Sequence, residues 1–170
     1  IVQLGLPRNV SYTPDEETMK KEPFYSSLLY AAQGIRAALR EERNMRFHLC
    51  AAFYVYLFSM FYEFTKLEYC GITIMVVGVM ALELVNSSLE RTVERPTPDR
   101  YCTAGVVKDM AAGAVLVFSI GSAVCGFLLF WDLQAFARMF WFFTHYWFAL
   151  IALCASLAGA WIFVYRRKDD

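Results

Sequence analysis

Residues 69–90 read YCGITIMVVGVMALELVNSSLE, a run that begins like a membrane span and ends in carboxylates. From Tyr69 to Leu82 no residue is charged; then Glu83, Asn86 and Glu90 arrive within eight positions. A helix needs roughly 20 apolar residues to cross the hydrocarbon layer. This run is long enough only if its polar end sits at the interface. On a helix Glu83 and Glu90, seven apart, lie nearly above one another, and Glu94 falls close to the same line. Asn86 flanks the stripe on one side and Ser87 on the other. The three acids descend from the apolar zone to its border over roughly 16 Å. Ionisable groups at such a depth are costly and mark function by default.

The whole chain supports a membrane reading. Of its 170 residues 58% are hydrophobic, and the mean hydropathy is +0.40, too apolar for an ordinary soluble domain. Sixteen basic residues balance sixteen acidic ones, so total charge says nothing about nucleic acid; the expected partners are a membrane lipid and no nucleic acid. Residues 1–23 read as a flexible polar segment that does not resemble a cleavable signal peptide. The five cysteines form no C-x-x-C pair and read as helix-packing residues.

From Phe24 the apolar positions Phe24, Leu28, Ala31, Ile35 and Leu39 recur at helical steps, opposite Arg36, Arg40 and Arg43. That pattern predicts an amphipathic surface helix over 24–46. Glu42 lies on its apolar side, where a carboxylate needs a partner. Spans are predicted at 47–64, 69–90, 110–131 and 140–165, giving an all-α polytopic bundle. Arg36, Arg40, Arg43 and Arg46 precede the first span. Arg91, Arg95, Arg100 and Lys108 lie between the second and third, and Arg166, Arg167 and Lys168 close the chain. The opposite connections hold only Lys66 and Arg138. Excess Lys and Arg stay inside, so both termini and the middle loop are expected to be cytoplasmic.

Lys108 and Asp109 stand where the third span is expected to begin, before the small residues Ala111, Ala112, Gly113 and Ala114. Small residues let helices approach closely, which would bring Lys108 beside the acids. Asp109 alone also suits a helix cap. One edge pocket would then hold Glu42, Glu83, Asn86, Glu90, Glu94, Lys108 and Asp109. Acids able to hold a divalent metal, with cations for phosphate oxygens, describe phosphoryl transfer. No soluble nucleotide cradle such as G-x-x-x-x-G-K-[ST] is present. Two other readings stay open on these residues: a membrane scaffold whose acids staple helices together, and a small ion or proton conductor.

AAQGIRAALREERNMRFH (31–48), ELVNSSLE (83–90) and VKDMAAGAVL (107–116) resemble, in order and spacing, the small prokaryotic diacylglycerol kinase family, which includes undecaprenol kinases. REERN-x-x-x-H is similar to the Gram-positive branch, favouring undecaprenol over diacylglycerol. The resemblance covers residues 24–131 and leaves 132–170 as an additional transmembrane helix with a basic tail. It implies a multi-pass enzyme of the bacterial inner membrane, a homotrimer that transfers the γ-phosphoryl of ATP, with Mg²⁺, to a lipid hydroxyl. By motif position Glu83 would be the general base and Asn86 would orient it or the substrate. Glu42 and Glu90 would bind the metal. Tyr30, Glu94, Asp99, Lys108 and Asp109 would contact nucleotide, and Arg36 and Arg46 the substrate. Glu94 stands where the family usually has Asp, and His48 where the Gram-negative branch carries an acid.

Overall fold

The computed structural model describes residues 24–93 and 101–166, the side chains of 101–103 excepted. Among them the chain is all helix: α1 (Phe24–Glu41), α2 (Arg43–Ser59), α3 (Lys66–Val93), α4 (Tyr101–Phe130), α5 (Leu133–His145) and α6 (Trp147–Tyr165). The described residues up to Gly34 and those from Ile35 onward belong to two separate units. In the first, Phe24, Tyr25, Leu28, Leu29 and Tyr30 are all exposed on α1. The second holds the bundle, in which α3 packs on α2 and α4, while α6 packs on α2 and α5.

Among the described residues three helices are long and apolar enough to cross a membrane: Lys66–Val93, Ala104–Phe130 and Trp147–Tyr165. With their outward apolar residues, such as Ile74, Val117, Phe127 and Ile162, exposed on the isolated chain, they make a membrane helical bundle whose solvent is lipid. The 17 residues of α2 lie at the lower limit for a span.

Local chemistry sets several boundaries. Thr65 and Glu68 form a capping box at the start of α3: the Thr65 amide donates to Glu68 Oε2 at 2.7 Å, and the Glu68 amide to Thr65 Oγ1 at 3.3 Å. Asp132 caps α5 by accepting from the Gln134 amide at 2.8 Å. Gly78 allows a close approach, since a Cβ there would lie 2.5 Å from Phe118 Cζ on α4.

Other boundaries depart from the sequence expectation. The surface helix ends at Glu41 and not at residue 46, because Glu42 turns to an extended conformation (φ −95°, ψ 120°). Arg46 therefore belongs to α2. The fourth run, expected unbroken over 140–165, is divided at Tyr146 (φ −108°, ψ 72°). There Phe142, Tyr146 and Phe148 pack ring against ring at centroid separations of 5.1 and 5.7 Å, and aromatic residues are indifferent helix formers. The crossing helix is thus α6 alone. Gly113 has no atom within 4 Å of an added Cβ, whereas Gly78 is covered by the Phe118 ring.

The bundle has two polar ends. At one, the Tyr62 hydroxyl donates to the Phe130 carbonyl at 2.9 Å and Arg138 Nε to the Phe61 carbonyl at 3.0 Å. Arg138 also pairs with Glu63 and Asp132 at 3.6 and 3.9 Å. The other end gathers the α1–α2 junction, the C-terminal turns of α3 and α6, and the early turns of α4.

Candidate active site

The bundle-facing stripe of α3 changes character along its length. Its buried residues are Ile72 and Val79, then Glu83, Asn86 and Ser87. These steps of three, four and seven keep one face inward. Apolar burial toward the far end gives way to a polar cluster over the last three turns.

Glu83 is 2% exposed. Asn44 of α2 is near its carboxylate, and the charges of Glu42 and Glu90 both act on it. Carboxylates from the α1–α2 junction and from α3 therefore share one neighbourhood. Glu42 and Glu90 are each balanced by a cation. Arg91 Nη2 lies 3.1 Å from Glu41 Oε2 and 3.2 Å from Glu42 Oε1, and Lys108 Nζ lies 3.7 Å from Glu90 Oε1. Among the described residues no ion pair reaches Glu83. Burying a carboxylate without a cation is expensive. Asn86 Oδ1, one turn away, is buried with no hydrogen-bond partner. An unmet buried acceptor costs about 1–3 kcal/mol and is a group that a ligand can satisfy.

Glu42, Glu83, Asn86, Glu90 and Lys108 thus lie at one end of the bundle. Asp109 is exposed on α4. As α4 begins at Tyr101, Asp109 stands in the helix interior and the cap reading does not apply to it. Tyr30 and Arg36 are exposed on α1. Glu94 and Asp99 lie outside the described residues. Arg46, expected at the surface near substrate, is 8% exposed. It spends its guanidinium on backbone carbonyls of Leu39, Arg40 and Val164. Asn44, Glu41 and Arg91 join the cluster without having been singled out as site residues. The signal for Asn44 was its place in REERN, two positions after Glu42.

The donor set suits a small hard cation. Among the described residues no group of three or more His, Cys, Asp or Glu is placed to hold a metal ion. A cation such as Mg²⁺ needs none, because it keeps waters and takes one or two carboxylates plus substrate phosphates. Glu42 and Glu90 supply two carboxylates, and Lys108 and Arg91 stand beside them for phosphate oxygens.

Between α2, α3 and α4 runs a mostly apolar cleft of about 680 Å³, bordered by residues such as Phe47, Val55, Met75, Val79 and Phe127. Its lining offers no file of charged groups through the bundle, as conduction would need.

Comparison with known proteins gives a consistent result. Residues 29–130 match the model of the family described as prokaryotic diacylglycerol kinase. The chain is 37% identical to the undecaprenol kinase of Bacillus subtilis over 107 residues, 63% of this chain and 87% of the relative. It is 32% identical to the diacylglycerol kinase of Haemophilus influenzae over 106 residues, 62% of this chain and 90% of the relative. No solved structure gives a significant match. The sequence motifs, the polar end of α3 and these matches agree, and the chain is a lipid kinase belonging to the prokaryotic diacylglycerol kinase family.

Proposed function

We propose that this kinase phosphorylates undecaprenol, with diacylglycerol the less favoured acceptor, by direct in-line transfer from ATP. The observation that carries the reading is the buried carboxylate of Glu83, unpaired by a cation while its neighbours Glu42 and Glu90 are paired. A lipid alcohol is a weak nucleophile with a pKa near that of water, and a positioned base helps it. Glu83 accepts the hydroxyl proton as the oxygen forms its bond to the γ-phosphorus. The β,γ-bridging bond breaks, and ADP leaves with the electron pair. Asn86, through its free Oδ1, orients the acceptor. Glu42 and Glu90 would hold Mg²⁺, which would supply charge neutralisation at the transferred phosphoryl group. Lys108 and Asp109 contact the nucleotide, with Tyr30, Glu94 and Asp99 near it by motif position, and Arg36 lies toward the substrate.

The kinase unit is residues 24–131 with 132–170 as an addition. The site faces the cytoplasm at the bacterial inner membrane, with both termini inside, in a homotrimer. The basic residues of the α1–α2 junction, of the α3–α4 connection and at the chain end support that orientation. The acceptor preference rests on REERN-x-x-x-H and on the name of the Bacillus relative.

The test is transfer of labelled γ-phosphate from ATP to undecaprenol, shorter polyprenols and diacylglycerol in mixed micelles. Undecaprenol is expected to give the highest kcat/KM. A clear preference for diacylglycerol overturns the acceptor assignment, and wild-type turnover in Glu83→Gln overturns the base.

A further inference from the structure

Arg46 is a buried cation that the phosphoryl-transfer chemistry does not use. Its Nη1 donates to the Arg40 carbonyl at 3.0 Å and the Leu39 carbonyl at 3.4 Å. Its Nε and Nη2 donate to the Val164 carbonyl at 3.3 and 3.1 Å. Leu39 and Arg40 lie in the last turn of α1, and Val164 in the last turn of α6. The final carbonyls of a helix lack intrahelical donors and carry partial negative charge. One planar guanidinium therefore caps two helix ends at once, a fork geometry that an ammonium does not reproduce.

Glu42 sits inside this clamp. Its amide donates to the Ala38 carbonyl at 2.8 Å, and its carbonyl accepts from the Arg46 amide at 3.4 Å. No glycine or proline marks the break at Glu42, so tertiary contacts must hold its extended backbone. The rest of α6 is fastened to α2 alongside. Tyr54 Oη and Ser156 Oγ are 3.1 Å apart, and Arg43 lies over the Tyr165 ring at 5.8 Å. The family match ends at residue 130, so the Val164 half of the clamp comes from a helix outside it.

We propose that Arg46 is a positioning residue and α6 a strap: the Val164 carbonyl, through Arg46, sets the α1–α2 break that presents Glu42 to the metal. The proposal rests on Glu42 being a metal ligand, as read above. Removing groups that orient a metal ligand typically costs 10–100-fold in metal affinity.

The test uses the full chain in mixed micelles. The midpoint of Mg²⁺ activation is measured from turnover and, separately, from metal-dependent binding of a fluorescent non-hydrolysable ATP analogue. Arg46→Lys keeps the charge and loses the fork. Tyr165→Pro drives Val164 toward an extended conformation and turns its carbonyl away. Tyr165→Ala removes the ring but leaves that carbonyl in place. Arg46→Lys and Tyr165→Pro are each expected to raise both midpoints about 10-fold, with the KM for lipid within about twofold of wild type. Tyr165→Ala should match wild type, and Arg46→Lys should add no shift in a Glu42→Gln background. Unchanged midpoints in both Arg46→Lys and Tyr165→Pro, while Glu42→Gln alone moves them, overturn the strap and leave the metal reading standing. An unmoved midpoint in Glu42→Gln overturns the metal reading, and the strap with it. A raised lipid KM at constant metal midpoint makes Arg46 a substrate contact and likewise overturns the proposal.

Discussion

Glu83 and Glu42 show how different two carboxylates in one site can be. Glu83 is buried and has no ion-pair partner among the described residues, whereas Glu42 is partly exposed and paired with Arg91. A base in the reaction must meet the acceptor, while a metal ligand must exchange one cation for another. Glu83→Gln is therefore expected to lower kcat about 10²–10⁴-fold while leaving the metal activation midpoint near wild type. Steady-state kinetics with Mg²⁺ titration checks both halves. The Arg91 pairs are solvent-screened, so Arg91→Ala should change stability by less than about 1 kcal/mol, as read from thermal unfolding in detergent. The depth of Glu83 was legible in the sequence because a helix period carries it seven residues above Glu90 on an apolar run. The nearness of Asn44 was not, since it depends on the register of α2 against α3, which no single-segment pattern contains. Arg46 is the opposite case: its charge suggested a surface role, and only the helix ends around it explain its burial.

Among the elements, α3 and α4 pack together and bring Glu90 to Lys108, with the Phe118 ring of α4 seated on Gly78 of α3. A methyl at that position meets the Phe118 ring at 2.5 Å. Overpacking of this kind costs about 1–3 kcal/mol, so Gly78→Ala should lower the unfolding midpoint, and Phe118→Leu should restore most of it. An unshifted midpoint in Gly78→Ala means that the ring yields freely. Element starts governed by side-chain caps were within reach of sequence reading, as Thr65–Glu68 and Asp132 illustrate. The breaks at Glu42 and Tyr146 were not. Neither carries a helix-breaking residue, and each is held by neighbours distant in sequence or by clustered rings.

For the molecule as a whole, the ends of the bundle define the orientation. Glu63 and Arg138 lie at one end, and Glu42, Lys108 and the C-terminus of α6 at the other. With every native cysteine replaced, a single cysteine at Glu63→Cys should react with a membrane-impermeant reagent from outside intact cells. One at Arg166→Cys should react only after the inner face is opened. The reverse pattern contradicts the assigned orientation. The membrane character was visible in composition and hydropathy because the bilayer imposes length on every crossing segment, but four spans were expected and three helices among the described residues are long and apolar enough to cross. Convergence of the acids depends on how separate helices dock, which hydropathy does not encode.

The account turns on Glu42 and Glu90 serving the same divalent ion. Its most direct measurement is the Mg²⁺ activation midpoint in Glu42→Gln, in Glu90→Gln and in the double variant, at saturating ATP and lipid. Ligands of one ion are coupled, so each single change should raise the midpoint and the double should raise it by much less than the product of the two. A midpoint unmoved by either single substitution, or a double shift equal to that product, contradicts a shared metal site.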